Sequence, residues 1–528
     1  MSRGRVCLLA VLPVLIAMLV AGGAVLPASA SLLGDQVTID TGAVRGTVTL
    51  DHRAFLGIPF AASTAGQGRF RPPQPVPPWT GTRDATASGP GCAQTPLPSS
   101  EDCLTIDVYT PPAWSGGNLP VMFWIYGGGY AFGSSGGYDP APLLKQNVIV
   151  AIANYRVGPF GFLSLPGLDA ESATGTSGNY GLMDQQAGLR WVQRNIGAFG
   201  GNPHDVTIFG ESAGGNSVCQ QVASPQSAGL FQRAIVQSGS CAGKNGLSTV
   251  PKAEMQQRSR ALAQELGCTD PATEVACLRA LPQDRLLSSK TLQFNLNLTW
   301  APSVDGVIEP RALDQAWRAG AYQKVPLMIG GTHDEGRTFV ALLDHALKLA
   351  PVGAAGYQSW VRTTFGANAD AVLAKYPLSV FASPDLAKAT VLTDSNFSCP
   401  LQLSLNEATA SGATVYTFEL ADADPPLAGA DPLMPLGNFH GSDVLYLFNS
   451  LQGIPSVRDT AQQSLSNQMV LAWTTFARTG QPGAIGALDW PVWTPADPRT
   501  VELDSAGNRL ANDVAAAHSC AFWAPIIG

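Results

Sequence analysis

The 528-residue sequence is poor in charge, and its few charges do not form basic runs. Charged residues make up 13% of the chain, and the formal net charge is −8. Because nucleic-acid binding requires clustered lysines and arginines that neutralise phosphates, we expect no nucleic-acid partner. Low-complexity tracts are also absent, and 45% of the residues are apolar. This composition argues against intrinsic disorder and predicts a large buried core.

Metal-binding patterns are absent from the cysteines and histidines. No C-x-x-C pair and no cysteine–histidine cluster has the spacing of a zinc site, so we predict no metal and no cofactor. Nine cysteines are present, and eight remain once Cys7 is set aside with the N-terminal segment. An even number suits an oxidising compartment. Cys92/Cys103 and Cys268/Cys277 are close enough in sequence to close small disulfide loops.

The N-terminal segment predicts export. Two arginines precede an apolar run over residues 6–20, and the ASA sequence at 28–30 fits a signal-peptide cleavage site. The apolar run is short for a membrane span, and Pro13 interrupts it. We therefore predict a signal peptide over residues 1–30, no stable membrane anchor, and a mature protein that is secreted to the periplasm or the exterior.

Short apolar runs alternate with helical periodicity along the chain. LPVMFWIY (119–126) and VIVAIANY (148–155) are typical of strands buried on both faces, whereas GLMDQQAGLRWVQRNI (181–196) has apolar residues at helical spacing. Further strands are predicted at VTIF (206–209), RAIVQSGS (233–240), VPLMIGG (325–331) and TVYTFEL (414–420). This alternation predicts an α/β fold with a doubly wound sheet.

Polar, helix-rich sequence interrupts the alternation of strands and helices. We expect a helical insertion around residues 251–320 and a further helical region around 338–395. The sequence shows no internal repeat. One catalytic domain over residues 31–528 with inserted helices is therefore favoured over separate folding units.

Two stretches match the nucleophile motif G-x-S-x-G: GSSGG around Ser135 and GESAG around Ser212. Ser212 directly follows the VTIF strand, and the residues after it can begin a helix, which is the strand–turn–helix setting of a nucleophile elbow. The flanking glycines allow the strand and the helix to approach closely. Ser135 follows an aromatic segment and precedes prolines, which is typical of a flexible loop. Ser212 is therefore the predicted nucleophile.

A serine hydroxyl needs a base, because it does not ionise alone at neutral pH. In enzymes with a nucleophile elbow the chain order is nucleophile, acid, histidine, which leaves His333, His345, His440 and His518 as candidates. His440 lies in a glycine-flanked loop after the TVYTFEL strand, where the base is expected. His345 lies in an amphipathic helical segment and is interpreted as a packed or solvated residue.

The acid is expected just after a strand that lies between the nucleophile and the histidine. VPLMIGGTHDEG offers Asp334 and Glu335, and their spacing does not decide between them. Acyl transfer also creates an oxyanion that backbone N–H groups must stabilise. Three consecutive glycines (127–129) directly follow a buried strand, and their N–H groups can approach a substrate without obstruction by side chains.

The chain resembles the type-B carboxylesterase/cholinesterase-like family of α/β hydrolases, from about Val37 to near the C-terminus. The matching stretches, in chain order, are FLGIPFA (55–61), EDCLTIDVYTP (101–111), VMFWIYGGGYAFG (121–133), NYRVGPFGFL (154–163), NYGLMDQQAGLRWVQRNIGAFGGNP (179–203), VTIFGESAGG (206–215), GTHDEG (331–336) and GNFHGSDVLYLF (437–448). So many ordered matches make the resemblance specific. It implies an α/β-hydrolase fold with a large mixed, mostly parallel central sheet, flanking helices and inserted helical cap regions.

The resemblance also implies a role for each candidate residue, and it selects Glu335 over Asp334. The implied nucleophile, base and orienting acid are Ser212, His440 and Glu335, and the implied oxyanion donors are Gly128, Gly129 and Ala213. The implied disulfides are Cys92–Cys103, Cys268–Cys277 and Cys399–Cys520, with Cys219 and Cys241 left over as a further candidate pair.

The predicted function is a secreted serine carboxylesterase that acts on small-molecule esters through an acyl-enzyme. Cholinesterases of the family carry a choline-binding tryptophan inside the first disulfide loop, but here that loop, AQTPLPSSED, has no aromatic residue, so we expect no cation–π site for quaternary ammonium. The same chemistry on amides, carbamates or polyesters is the alternative, and a non-catalytic cholinesterase-like binding protein is a third reading. The sequence leaves the oligomeric state open. The candidate pocket residues are Glu211, Phe132, Trp300 and Phe397.

Overall fold

A computed structural model describes residues 34–112, 117–243, 247–289, 300–346, 353–431 and 433–528. The predicted signal peptide lies outside these ranges. Within them, every helix is too short or too polar to cross a membrane.

The described residues form a mixed β-sheet of 11 strands at the centre of the protein. Its strands, labelled in chain order, are β1 (Thr47–Val48), β2 (Arg53–Pro59), β3 (Thr105–Thr110), β4 (Leu119–Ile125), β5 (Ile149–Ala153), β6 (Gly201–Glu211), β7 (Arg233–Gln237), β8 (Leu327–Thr332), β9 (Val415–Leu420), β10 (Thr500–Leu503) and β11 (Arg509–Ala511). Their spatial order is β11-β10-β9-β8-β7-β6-β4-β5-β3-β2-β1.

The middle of the sheet is parallel and its edges are antiparallel. Strands β4 to β10 run parallel to one another, whereas β1, β2, β3 and β11 pair antiparallel with their neighbours. Every residue of β4, β5 and β8 is buried, which explains why these strands are continuous apolar runs rather than alternating ones. The predicted α/β class with a mostly parallel central sheet is confirmed.

Helices flank this sheet and fill most of the connections between its strands. The α-helices are Ala141–Leu144, Gly158–Phe162, Pro166–Glu171, Tyr180–Asn195, Ala213–Ala223, Lys252–Glu265, Glu274–Ala280, Gln283–Leu287, Leu313–Arg318, Gly336–Phe339, Ala354–Phe365, Ala369–Lys375, Pro384–Thr393, Cys399–Ala410, Val444–Leu447, Thr460–Thr479, Val514–Ala517 and Cys520–Ile527. Two π-helical segments are Val340–Ala346 and Asp394–Ser398.

Short strands outside the central sheet form small sheets of two or three strands. An N-terminal hairpin is one of them, since Gln36–Ile39 pairs antiparallel with Gly42–Arg45. The remaining short strands are Thr82–Asp84, Gly91–Cys92, Ser99–Ser100, Val250–Pro251, Ser303–Val304, Ser450–Leu451, Ile454–Pro455, Ala484–Ile485 and Leu488–Asp489.

The 20-residue helix Thr460–Thr479 shows how local sequence defines an element. Asp459 and Gln462 form a reciprocal capping box at its N-terminus, and Gly480 ends it in the left-handed conformation at φ 77°. Trp473, on its buried face, reaches the strand that lies beside the candidate nucleophile. The helix therefore supports the central sheet close to the candidate site.

Four disulfides connect the eight cysteines that follow the predicted signal peptide. They are Cys92–Cys103, Cys219–Cys241, Cys268–Cys277 and Cys399–Cys520. The pair that the resemblance left over, Cys219 with Cys241, joins the helix after Ser212 to the segment after β7. The widest loop, closed by Cys399 and Cys520, has a sequence separation of 121 residues.

Candidate active site

Ser212 lies at the turn between β6 and the helix Ala213–Ala223. Its backbone is in a strained conformation, with φ 60° and ψ −125°, which costs roughly 1–3 kcal/mol. Glycine at position 214 makes the tight turn possible, because a Cβ there would lie 1.9 Å from the carbonyl oxygen of Ile125 on β4. The Ser212 N–H donates to the carbonyl oxygen of Gln237 on β7 at 2.9 Å, which anchors the turn to the sheet.

The Ser212 side chain faces a cavity of about 350 Å³. The wall of this cavity also contains His440 and the glycines 127–129. Ser212 itself is 7% exposed. The structure therefore brings the predicted nucleophile, histidine and glycine loop to one cavity.

His440 is held between two carboxylates. Its Nδ1 lies 2.5 Å from Oε2 of Glu335, and its Nε2 lies 3.2 Å from Oε1 of Glu211. The rings of Phe339 and Phe397 pack against the imidazole with centroid distances of 5.0 and 4.9 Å. Burial opposes a charge on the ring, but the two carboxylates outweigh burial and raise the pKa of His440 above its usual value.

Glu335 and Asp334 are neighbours in sequence but face different partners. Glu335 is buried, and its second carboxylate oxygen accepts a hydrogen bond from the Thr332 N–H at 2.8 Å, which orients the group that faces His440. Asp334 instead forms an ion pair with Arg337 at 2.7 Å and accepts a hydrogen bond from the Asn438 N–H at 3.0 Å. Asp334 thus fastens the loop before His440 to the end of β8.

The glycine loop after β4 needs its glycines for steric reasons. Gly128 and Gly129 have φ values of +111° and +63°, which residues with a side chain rarely adopt. A Cβ on Gly128 would lie 2.1 Å from the carbonyl oxygen of Phe132. A Cβ on Gly127 would lie 2.9 Å from the Cβ of Ser212. Ala213, the remaining predicted oxyanion donor, is buried as the first residue of the helix after the nucleophile.

Three of the four predicted pocket residues line the cavity: Glu211, Phe132 and Phe397. Trp300 does not belong to the lining that the structure describes. It is 4% exposed and packs in the main hydrophobic core. Trp300 lies within the predicted helical insertion, where an aromatic residue can either line a pocket or pack in the core. The sequence alone does not distinguish a pocket residue from a core residue.

The other serine of the motif, Ser135, occupies a different environment. It begins the short 3₁₀ turn Ser135–Gly137, is fully buried, and its N–H donates to the side-chain oxygen of Asn154 at 2.8 Å. It is not among the described residues that line the cavity. The expected flexible loop is therefore a packed turn.

The remaining candidate histidines lie outside the cavity lining that the structure describes. His345 is buried in the π-helix Val340–Ala346, where a regular amphipathic helix was expected, and its Nδ1 lies 2.6 Å from Asp431. His518 is buried with its ring nitrogens 2.7 Å from Asp394 and 2.9 Å from Glu419.

The described residues include one group whose ligand atoms are close enough to suggest a metal site. Its members are His333, Glu419 and His518, and their ligand atoms lie within 4.8 Å of one another. Both ring nitrogens of His518 already contact carboxylates, so a metal ion would have to displace a buried ion pair. The arrangement fits an imidazolium between two acids better than a metal centre.

A buried network behind His440 was not anticipated from the sequence. The Gln237 side-chain amide donates to Asp443 at 2.6 Å, and the Trp473 indole N–H donates to the Gln237 carbonyl oxygen at 3.1 Å. Burial raises the pKa of Asp443 to about 6, against the hydrogen bond from Gln237. The sequence offered one signal for this network, which is the position of Asp443 three residues after His440.

Comparison with known proteins shows similarity to esterases along nearly the whole chain. The model of the family described as "Carboxylesterase family" matches residues 34–523. The chain is 36% identical to the fumonisin B1 esterase of Sphingopyxis macrogoltabida, over 85% of this chain and 83% of the relative. It is 34% identical to the para-nitrobenzyl esterase of Bacillus subtilis (strain 168), over 89% and 94%, and 34% identical to the acetylcholinesterase of Bungarus fasciatus, over 95% and 87%. The chain thus belongs to the carboxylesterase family and is a carboxylic-ester hydrolase.

Proposed function

We propose that the protein hydrolyses esters through an acyl-enzyme on Ser212, with His440 as base and Glu335 as orienting acid. The observation that carries the proposal is the position of the His440 ring. Its Nδ1 is 2.5 Å from Glu335, and His440 and the strained Ser212 line the same cavity. A histidine fixed by an acid at Nδ1 accepts the serine proton at Nε2, the nitrogen that here also lies 3.2 Å from Glu211.

The first half of the reaction transfers the acyl group to the enzyme. Ser212 Oγ attacks the ester carbonyl carbon while Nε2 of His440 takes the hydroxyl proton. The N–H groups of Gly128, Gly129 and Ala213 stabilise the tetrahedral oxyanion. Collapse of this intermediate breaks the bond to the alcohol oxygen, which leaves with the proton that His440 held.

The second half releases the acid by the same steps with water as the nucleophile. His440 takes a proton from water, the hydroxide attacks the acyl carbon, and the proton then returns to Ser212 Oγ. Glu335 and Glu211 both stabilise the imidazolium that forms in each half-reaction, because both carboxylates face the ring.

Export is a further part of the proposal. Four disulfides in one chain suit an oxidising compartment, since thiols stay reduced in most cytosols. The N-terminal sequence supports the same destination. Sequencing the N-terminus of protein collected from the culture medium or periplasm is the direct measurement, and a retained residue 1–30 segment would contradict it.

Two measurements test the catalytic proposal. We expect Ser212→Ala to abolish hydrolysis of p-nitrophenyl butyrate while circular dichroism and thermal unfolding stay close to those of the wild type. The matched control is Ser135→Ala, which alters the other motif serine and should keep turnover. Mass spectrometry after treatment with an organophosphate should show one adduct, on Ser212. Retained activity in Ser212→Ala, or no adduct on an active enzyme, would contradict the proposal.

A further inference from the structure

The cavity wall contains a buried cation that the proposed ester chemistry does not use. The charged side chains among the described lining residues are Glu211, His440 and Lys388. Glu211 and His440 face each other at the nucleophile, whereas Lys388 belongs to the helix Pro384–Thr393. Lys388 is only 7% exposed and is one of the residues that line the cavity.

Lys388 is held in position by a partner outside the cavity. Its Nζ donates to Oδ2 of Asp344 at 2.6 Å and lies 5.2 Å from the centroid of the Trp360 ring. Asp344 is 4% exposed and is not among the described lining residues, so of this ion pair only the lysine belongs to the cavity lining that the structure describes. An ammonium has three N–H donors, and Asp344 is the one hydrogen-bond acceptor that Nζ has among the described residues.

The surroundings of Lys388 make its ion pair with Asp344 a weak source of stability. Leu342, Leu343 and Leu392 line the same wall, and a buried ion pair among such residues is no more stabilising than apolar residues of similar volume. Removal from water also strengthens the attraction of an ammonium for an anion that enters the cavity. Both arguments indicate that Lys388 binds an anionic ligand rather than only stabilising the fold.

We propose that Lys388 binds a free carboxylate of the substrate, so that the enzyme prefers esters that carry a second, ionised carboxyl group. This inference rests on the proposed function, because it specifies the substrate of the same site. Two kinds of ester fit: half-esters of dicarboxylic acids, with the carboxylate on the acyl side, and acyl esters of hydroxy acids, with the carboxylate on the alcohol side. Glu211 does not compete for Lys388, since its carboxylate faces His440.

The test compares substrates that differ only in charge. Monoethyl adipate is paired with ethyl adipamate, in which a neutral carboxamide replaces the carboxylate, and 6-acetoxyhexanoate is paired with its amide. Hydrolysis is followed by pH-stat titration, and kcat/KM is measured for each substrate. A charge-assisted hydrogen bond corresponds to about a 10- to 100-fold preference for the carboxylate in the wild type. The substrate pair that shows this preference identifies whether the recognised carboxylate lies on the acyl or on the alcohol part of the ester.

Variants assign the preference to one residue. We expect Lys388→Gln to reduce the carboxylate-to-amide ratio of kcat/KM by about 10-fold or more, and Lys388→Arg to keep part of it. Lys252→Gln is the matched control, because it removes a lysine that pairs with Asp169 away from the cavity lining. This control should leave the ratio unchanged.

Each outcome supports or overturns the inference. Equal kcat/KM for both members of each pair in the wild type overturns it, as does an equal loss on both members in Lys388→Gln, which indicates a purely structural ion pair. Should Lys388→Gln not fold, inhibition of the wild type decides: adipate must inhibit p-nitrophenyl butyrate hydrolysis more strongly than adipamide, and equal inhibition overturns the inference. A wild type that hydrolyses no ester would contradict the proposed function itself.

Discussion

Oε1 of Glu211 lies 3.2 Å from Nε2 of His440, the nitrogen opposite the one that contacts Glu335. The imidazole is therefore flanked by two acids in a buried site. Burial alone would lower the pKa of His440, but the two carboxylates stabilise the imidazolium more and raise it. Since only the neutral imidazole can accept the serine proton, hydrolysis should increase with pH through the raised pKa.

We expect Glu211→Gln to extend activity to lower pH. The substitution removes one of the charges that raise the pKa of His440, so the neutral imidazole persists at lower pH. The midpoint of the acidic limb of kcat/KM should move down by about one pH unit or more. The measurement is the pH profile of kcat/KM for p-nitrophenyl butyrate.

Glu309→Gln is the matched control for this profile. It replaces a buried acid that forms no ion pair with His440 among the described residues. Its profile should overlay that of the wild type. An unchanged or raised midpoint in Glu211→Gln would show that this carboxylate does not set the charge of the histidine.

Gly128→Ala should damage the glycine loop 127–129, which we propose supplies oxyanion donors. A Cβ at this position would lie 2.1 Å from the carbonyl oxygen of Phe132, and the φ of +111° is itself unfavourable for alanine. Displacing one oxyanion donor typically lowers kcat by about 10²–10³-fold. Steady-state kinetics with a neutral p-nitrophenyl ester measures this loss.

Gly175→Ala separates backbone strain from loss of the donor. Gly175 has φ +67°, and a Cβ there meets nothing within 4 Å. We expect it to cost about 1–2 kcal/mol of stability for the left-handed conformation and to leave kcat unchanged. If both variants lose kcat equally, the special role of Gly128 is refuted.

The fold was predictable where burial left a strong pattern in the sequence. Strands β4 and β5 are buried along their whole length and stand out as uninterrupted apolar runs. The edge strands β1 and β11 are two and three residues long, with exposed positions, so they carry no periodic signal. Short edge strands form because they pair with a neighbouring strand. The local sequence of the edge strand does not reveal that pairing.

The candidate site was predictable where one residue type and chain order constrain the chemistry. Ser212 and His440 were selected as candidates through a motif and the order of elements, and they line one cavity. Lys388 and Asp443 were missed because their importance lies in contacts between segments far apart in sequence, with Asp344 and Gln237. A lone lysine on a helix has no pattern that distinguishes a cavity wall from a solvated surface.

Gln237→Leu should destabilise the support behind His440. The substitution leaves the Asp443 carboxylate without the amide donor at 2.6 Å and the Trp473 indole N–H without its acceptor at 3.1 Å. Each unsatisfied buried group costs about 1–3 kcal/mol, so the free energy of unfolding should fall by about 2–6 kcal/mol. Urea unfolding measures the change. The exposed Gln463→Leu is the control. An equal loss of stability in both variants would show that the buried network is not the cause of the destabilisation.

His518→Gln should destabilise the protein most at low pH. Burial opposes protonation of His518, but the hydrogen bonds with Asp394 and Glu419 outweigh it and raise the pKa to about 10. In the unfolded chain the pKa returns to about 6.5. The stabilisation from the charged ring is therefore complete below pH 6.5 and disappears as the pH rises through 10. Removing a buried ionic partner costs about 3–5 kcal/mol.

Urea unfolding between pH 6 and 10 should show a gap in the free energy of unfolding between wild type and His518→Gln that narrows with rising pH, whereas the exposed His204→Gln should show none. A gap that stays constant or widens would mean that His518 is neutral in the folded protein.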